Sequence, residues 1–207
     1  MSRTTIKCVF AQQVYTDRFH PGVEAIVTTE NGSVGRAVCT SGVSIGTYEI
    51  AFSFDKSPRF RGKGVQGAVD NVNKVIAPVL IGMDASNQLA IDQAMLDIMP
   101  DAKVKLGGNA VAAVSAAVCK AGAAALDIPL YQHIGGSAAM YLPVPGVMAA
   151  GGSKRYGGGI TNSGGKPSYS IMLYGFESFA EASYAGWEIQ AKWKENVQRI
   201  FDAEQNE

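Results

Sequence analysis

The segment Val23-Glu24-Ala25-Ile26-Val27-Thr28-Thr29-Glu30-Asn31-Gly32 decides how this chain begins to fold. It is rich in β-branched residues, as strands are, and Asn31-Gly32 is the strongest short signal for a hairpin turn. Ser33 to Cys39 then forms the return strand. Ile6 to Tyr15 has a similar strand pattern, and Pro21-Gly22 is predicted to turn the chain into the next strand. The chain therefore starts as a three-stranded antiparallel meander.

A loop rich in hydroxyls and glycine follows the meander, from Thr40 to Glu49. Its glycines allow backbone angles that other residues avoid, and its hydroxyl oxygens suit a hard cation or a phosphate. A polar crossover loop without a ligand is the alternative. We predict a mobile loop, whose candidate positions are Ser41, Gly42, Ser44, Gly46 and Thr47.

Three helices are predicted next. Apolar residues at helical spacing mark the first, from Val65 to Ile76. The second runs from Ala85 to Met99, with Leu89 on its apolar side, and ends at Pro100-Asp101. The third is alanine-rich, from Asn109 to Leu126, and should be central because alanine favours helix and close packing. Strands followed by helices indicate an α+β unit.

The chain changes character at about residue 141. A strand from Leu142 to Met148, a glycine-rich loop and a strand from Tyr169 to Tyr174 are followed by the capping box Ser178-Phe179-Ala180-Glu181, which opens a helix. Two strands and one helix are too few to bury their own apolar faces. We therefore expect the beginning of a domain whose remainder lies outside these 207 residues.

Composition excludes several classes of protein. Eighteen basic residues balance eighteen acidic ones, so the overall charge predicts neither a nucleic-acid nor a membrane partner. The apolar stretch from Ala110 to Leu126 is interrupted by polar residues, which favours a core helix over a membrane span. The N-terminus opens directly on a strand pattern, so no signal peptide is predicted. Three separated cysteines predict buried, reduced thiols and a cytoplasmic protein.

Two nucleotide-binding motifs are weak matches. Gly62-Lys63-Gly64-Val65-Gln66-Gly67 fits the dinucleotide pattern, but it does not follow the buried strand that this pattern requires. Around Gly165-Lys166, a P-loop would need glycine at Ile160 and serine or threonine at Pro167.

The order of several short motifs resembles that of the enolase family, from about Ile6 to about Val197. The hairpin resembles the family's second strand and turn, and Phe179-Ala180-Glu181-Ala182 resembles the FAEA of the first barrel helix. Further resemblances are Ser41-Gly42-Val43-Ser44-Ile45-Gly46 to SGASTG, Gly62 to Val65 with Asn71-Val72-Asn73 to GKGV and NVN, Leu106 to Ala110 to LGANA, Pro129 to Tyr131 to PLY, Leu142 to Pro145 to LPVP, and Gly151 to Ser153 to NGGS.

The resemblance implies a two-part architecture. Residues 1–140 would be the N-terminal capping domain, a β-meander followed by a helical bundle, and residues 141–207 the first β-β-α of a (β/α) barrel. A complete barrel takes roughly 250 residues, so about three quarters of it would lie outside this chain.

The resemblance also implies an activity. Enolases dehydrate 2-phosphoglycerate to phosphoenolpyruvate with Mg²⁺, and the family's carboxylate ligands, lysine base and principal acid lie in later barrel strands. None of these can be placed here, so the catalytic residues are unknown. Ser44 matches the loop serine that ligates a second Mg²⁺ when the loop closes. A cytoplasmic homo-oligomer, or a partner that completes the barrel, is expected.

Two positions depart from the family where substrate should bind. Lys154 stands at the family's histidine and Ser168 at its glutamate, and a serine cannot act as an acid or base near neutral pH. The segment from Thr16 to Gly22 also departs from the family's sequence. That segment usually contributes to the family's dimer interface, so the resemblance does not extend to the usual dimer. His133 is expected to pack or cap its short helix rather than catalyse. The alternative function is therefore a non-catalytic enolase-like module for assembly or binding.

Overall fold

Three antiparallel strands begin the chain, in the order β1-β2-β3. The computed structural model describes residues 2–17, 19–41, 46–151 and 168–204. The strands are β1 (Ile6–Tyr15), β2 (Pro21–Thr29) and β3 (Val34–Cys39). Gly32 turns the chain between β2 and β3 with a φ of 85°, so the predicted hairpin is confirmed.

The first turn lies earlier than the sequence predicts. Pro21 and Gly22 belong to β2, where Pro21 is opposite Tyr15. The chain reverses between Thr16 and His20, since the Thr16 N–H donates to the His20 carbonyl at 3.0 Å. Phe19 adopts a left-handed φ of 55° there. The Pro-Gly prediction was wrong because proline is also compatible with the first residue of a strand, the position that Pro21 has in β2.

One face of the sheet packs on a long central helix, α5 (Gly108–Leu126). Ten of its nineteen residues are buried, and most of these are alanine or valine. By length and composition alone α5 could cross a membrane. Its burial against the sheet instead makes it a core helix, in agreement with the sequence analysis.

Small residues bring the sheet and α5 into close contact. A Cβ atom on Gly35 of β3 would lie 2.0 Å from the Ala117 carbonyl oxygen and 2.4 Å from the Ala121 nitrogen. On the other side of α5, a Cβ atom on Gly122 would lie 2.3 Å from the Ala85 carbonyl oxygen. Backbones therefore touch where side chains would normally separate them.

Shorter helices surround α5. The first predicted helix is a continuous run that contains a π-helical turn at Val72–Ile76. A short helix after Asp101 was not predicted, and Asp101 precedes it with a left-handed φ of 58°. The helices before and after α5 are α1 (Gln66–Asn71), α2 (Ala77–Leu80), α3 (Gln88–Leu96), α4 (Ala102–Leu106) and α6 (Leu130–Gly135).

Helix α3 is shorter than predicted, and its apolar side is narrower. The Asn87 side chain accepts a hydrogen bond from the Ala90 N–H at 3.2 Å and so starts the helix three residues after Ala85. Leu89 is 80% exposed, so its assignment to the apolar side was wrong. Ile91 and Met95, one turn apart, are the side chains that α3 buries.

The thiols are less buried than predicted. Cys8 is exposed, whereas Cys39 and Cys119 are partly buried. The register of β1 and β2 shifts between Ile6 and Cys8. This irregularity turns the Cys8 side chain to the outer face of the sheet, so the prediction of a buried thiol was wrong there.

The chain divides into two compact units, Met1–Ala139 and Met140–Glu207. The first contains the sheet, α1 to α6 and a mixed α and β core. The second contains a two-stranded antiparallel sheet and one long helix. These elements are β4 (Gly146–Gly151), β5 (Ser168–Met172) and α7 (Phe179–Glu204).

The second unit buries little of its apolar surface. Helix α7 begins as the capping box predicts, because the Ser178 hydroxyl accepts from the Glu181 N–H at 3.2 Å. It approaches the sheet at Gly186, where a Cβ atom would lie 2.7 Å from Leu173 and 2.9 Å from Val147. Large side chains remain more than 60% exposed, among them Met140, Tyr141, Leu142, Tyr174, Tyr184 and Trp187.

Candidate functional site

The predicted mobile loop leaves the end of β3 and returns at a tight turn. Ser41 is partly buried and Gly46 is exposed at its two ends. The Glu49 N–H donates to the Gly46 carbonyl at 3.2 Å, and the Gly46 N–H donates to Glu49 Oε2 at 2.9 Å. Two reciprocal hydrogen bonds therefore fix the returning end. Gly42 and Ser44, the candidate hinge and metal ligand, lie outside the described residues.

Glu49 also faces the strand from which the loop departs. The pKa of the Cys39 thiol is raised, first by burial and then by the charge of Glu49. Both effects oppose ionisation of the thiol, so Cys39 is not an activated nucleophile. The Glu49 carboxylate thus lies near the end of β3 while it holds Gly46.

The segment after the loop is attached to the start of α5. The Asn109 side chain accepts from the Ser53 N–H and donates to the Ser53 carbonyl, both at 3.0 Å. The Gly108 N–H donates to the Ala51 carbonyl at 3.0 Å. Asn109 is 1% exposed, so its two hydrogen bonds are strong constraints on the segment.

Glycine is required at Gly107 for this attachment. Its φ is 96°, and a Cβ atom there would lie 2.5 Å from the Ser53 Cβ. The motif Leu106-Gly107-Gly108-Asn109, which sequence reasoning used only as a resemblance, therefore has a physical role. Its glycines let the returning segment contact the backbone at the start of α5, and its asparagine supplies a buried amide for hydrogen bonds to Ser53.

An apolar cavity of about 420 Å³ lies beside this segment. It is formed by the segment together with α3, α4 and α5, and Glu49, Asp92 and Lys103 are its charged residues. The uncharged lining residues include Ile50, Phe52, Met95, Leu96, Val111 and Ala112.

Two residues of the cavity lining, Asp92 and Ser115, share one amide donor. Gln88 Nε2 donates to Asp92 Oδ1 and to the Ser115 hydroxyl, each at 3.0 Å. The pKa of the nearby Cys119 thiol is raised by burial and by the charge of Asp92. Asp92 is therefore held in place by an amide rather than by a cation.

The two predicted substrate-binding residues belong to the second unit. Ser168 is the first residue of β5 and pairs with Gly151, the last residue of β4. Lys154 lies outside the described residues. The backbone of Ser168 thus lies opposite the strand end that leads toward Lys154, and their roles stay predictions.

Acidic and imidazole groups do not converge anywhere in the part of the chain that the structure describes. No group of three or more His, Cys, Asp or Glu residues there could hold a metal ion. His133, in α6, lies beside α5, since its Nε2 would be 3.3 Å from a Cβ atom on Gly122.

Two asparagines join neighbouring elements of the first unit through side-chain hydrogen bonds to backbone groups. This role was not predicted from the sequence. The Asn71 side chain donates to the Leu106 carbonyl at 2.9 Å, next to Gly107. Asn73 accepts from the Ala11 N–H at 2.7 Å and donates to the Ala11 carbonyl at 2.9 Å. The spacing Asn-x-Asn inside an apolar helix is the signal that was available, because amides there need polar partners.

Comparison with known proteins agrees with this architecture. The model of the family described as "Enolase, N-terminal domain" matches residues 6–134. A curated relative, an enolase of Methanopyrus kandleri, is 43% identical over 184 residues. That match covers 88% of this chain but 42% of the relative, so the chain spans less than half of that enolase's length. The chain belongs to the enolase family.

Proposed function

We propose that this chain provides the capping domain and the first β-β-α of the barrel of an enolase-type lyase. The reaction is the Mg²⁺-dependent dehydration of 2-phosphoglycerate to phosphoenolpyruvate, or that of a related acid. The observation that carries the proposal is the match to an enolase over 88% of the chain. The 207 residues alone would be inactive, since the family's catalytic carboxylates and lysine belong to later barrel strands.

The attachment of the loop supports a closing role for it. Hydrogen bonds within Gly46–Glu49 and between Ser53 and Asn109 fix the returning end, while Ser41 follows directly from the sheet. A loop held at both ends by a rigid scaffold can alternate between positions without disturbing the core. Ser44 would then enter and leave the active site, and closure would exclude water from it.

Mg²⁺ would be held mainly by residues beyond this chain. The ion requires six oxygen ligands in near-octahedral geometry, and one serine hydroxyl cannot hold it alone. Ser44 would supply one ligand after closure. When bound, Mg²⁺ stabilises the negative charge that develops on the substrate carboxylate.

The proposed partner is either another copy of this chain in a homo-oligomer or a polypeptide that completes the barrel. The exposed apolar side chains of the second unit support this, because an isolated soluble domain normally covers such residues. A cytoplasmic location would follow from the small phosphorylated substrate.

A non-catalytic role in assembly or binding is the second candidate function. Lysine at position 154 and serine at position 168 favour it. Lysine can contact a phosphate as a point charge, but it lacks the acid–base range of histidine near neutral pH.

The proposal can be tested by measuring phosphoenolpyruvate formation with Mg²⁺. The 207-residue chain alone is expected to show no turnover. Adding the part of the M. kandleri enolase that the match does not cover is expected to restore activity. In that mixture, Ser44→Ala should lower the rate about tenfold or more, as loss of a metal-supporting group typically does. Ser137→Ala, at an exposed serine outside the loop, is the matched control and should change the rate less than twofold.

Each result separates the candidates. Turnover by the isolated chain would contradict the need for a completed barrel. A stable but inactive mixture would favour the non-catalytic module. If Lys154→His together with Ser168→Glu then produced activity, those two positions would be the reason for the loss.

A further inference from the structure

A strongly basic loop lies between the returning segment and α1. Its four cations, Lys56, Arg59, Arg61 and Lys63, fall within eight residues, and all four are exposed. None forms an ion pair with a carboxylate in the described ranges, where the paired cations are Arg3, Arg36, Lys74 and Lys192. The balanced charge of the whole chain therefore conceals a local positive excess.

The backbone holds this loop in a fixed shape. The Asp55 N–H donates to the Gly64 carbonyl at 2.7 Å, so the ends of the loop are joined. Phe60 and Arg61 are both left-handed, with φ of 54° and 53°. Such consecutive strained residues persist only where the surrounding structure enforces them.

The nearest carboxylate does not neutralise the loop by direct pairing. Both Asp55 oxygens accept backbone hydrogen bonds at 2.8 Å, from the N–H groups of Gln66 and Gly67 at the start of α1. The four cations thus remain available to an external anion.

Three aromatic rings adjoin the basic loop. The Tyr15 ring centroid is 6.0 Å from that of Phe60 and 6.3 Å from that of Phe19. Tyr15 is 65% exposed and Phe19 is 83% exposed. The Arg59 guanidinium lies 5.3 Å from the Phe60 ring centroid, so a cation contacts a ring within the basic loop.

A polar pocket of about 190 Å³ lies at the basic loop, and Phe60 is the ring in its lining. Besides Arg59 and Phe60, its lining consists of Gln13, Ser57, Gln66 and Asp55, whose carboxylate is engaged by the backbone of α1. The Gln13 oxygen accepts from the Val65 N–H at 3.0 Å, so its amide nitrogen is the group left for a ligand. Hydrogen-bonding groups, rings and cations therefore occur together.

We propose that this surface, made of the four cations and the three rings, binds single-stranded nucleic acid. Phosphates would contact the cations, and bases would stack on Tyr15 and Phe19. Exposed rings beside a positive groove are the features by which proteins bind single strands without sequence preference. An acidic peptide would also contact the cations, but its side chains would not stack on the exposed rings as nucleic-acid bases do. The inference is independent of the proposed lyase function.

The first test compares two pairs of lysines in the full 207-residue chain. Binding of fluorescein-labelled oligo(dT) and oligo(U) is measured by anisotropy from about 50 to 200 mM salt. Lys56→Gln with Lys63→Gln should weaken binding and reduce the log–log salt slope by about 1.4, since each single-strand phosphate contact contributes about 0.7. The control, Lys103→Gln with Lys105→Gln, removes the same charge from α4 and should leave binding unchanged.

The second test concerns stacking. Tyr15→Leu should weaken binding about tenfold without changing the salt slope. Tyr131→Leu is the control, because Tyr131 in α6 is 63% exposed, close to the value for Tyr15.

Several outcomes would overturn the proposal. One is an absence of binding at the lower salt concentration. Another is an equal loss of binding affinity in the two lysine-pair variants, or in the two tyrosine variants. Weakening by the lysine pair but not by Tyr15→Leu would show a general anion surface instead. Sedimentation showing a dimer that Tyr15→Leu dissociates would identify the rings as a contact between two copies.

Discussion

Gly35 shows how much a single missing side chain can matter in this chain. Its Cβ position would lie 2.0 Å from the Ala117 carbonyl oxygen, and the obstacle is backbone that cannot rotate away. We expect Gly35→Ala to lower the free energy of unfolding by about 3 kcal/mol, near the upper end for overpacked sites. Urea unfolding measures this change.

The matched control for Gly35 is its neighbour Arg36. The Arg36 side chain is 61% exposed and lies 3.6 Å from Glu24, so Arg36→Ala should cost less than about 1 kcal/mol. Equal losses in the two variants would contradict the close packing of β3 on α5.

Asp84 gives the stability a small dependence on pH. Its pKa is lowered, chiefly by the hydrogen bond from the Ser86 N–H at 2.9 Å. A lowered folded-state pKa stabilises the fold above the unfolded-state pKa of about 3.9, and this contribution is lost as the pH falls through the folded value. Asp84→Asn should therefore reduce stability at pH 7, by less than about 1 kcal/mol because the site is near the surface.

The measurement for Asp84 is urea unfolding of both proteins across the acidic range. The difference between them should narrow steadily below about pH 4. Ser86→Ala, which removes only the hydroxyl donor, should show a smaller effect at neutral pH. A difference that stayed constant down to low pH would contradict the assigned role of ionised Asp84.

Among the elements, β1 depends on a helix to cover its open edge. Asn73 makes two hydrogen bonds to the Ala11 peptide group, as an adjacent strand would. Exposed strand edges invite unwanted pairing between chains, and a side-chain amide is one way to cover them. The edge is thus covered at the point where β1 meets the π-helical turn.

We expect Asn73→Leu to destabilise the protein by about 2 kcal/mol, because it leaves two backbone groups without partners. Hydrogen exchange at the Ala11 amide should accelerate. Lys74→Ala is the control and should have little effect, since the side chain of Lys74 is 71% exposed. Unchanged exchange at Ala11 would contradict the role of Asn73.

At the scale of the whole molecule, the two units differ in how completely they bury apolar residues. The core cluster that contains Ile6, Val27, Ile91 and Val118 lies entirely within the first unit. In the second unit, Trp187 and Tyr184 remain 63% exposed. A domain with its own core can fold alone, whereas one hairpin and one helix cannot bury enough surface.

Residues 1–139 are therefore expected to unfold cooperatively on their own, and residues 140–207 to show no cooperative transition. Circular dichroism during heating distinguishes these outcomes, with the 207-residue chain as the reference. A cooperative transition in the second fragment would contradict the expectation that this unit cannot fold on its own.

Local signals in the sequence predicted the structure most reliably. Asn31-Gly32 specified the hairpin, and the alanine-rich pattern specified α5, because these preferences act over a few residues. Local signals failed at Leu89, which fits an apolar helical pattern but is 80% exposed. Burial there depends on which face of α3 meets α5, and no local preference encodes that choice.

By itself the sequence determined the order of the strands and of the longer helices, the position of the central helix and the membership of the enolase family. Only the tertiary structure decided the contacts across long separations: Gly35 against Ala117, Asn109 on Ser53, and the aromatic rings beside the basic loop. The physical reason is that hydrogen bonds and close packing require partners at specific distances, and residues far apart in the chain acquire those distances only when the whole unit folds.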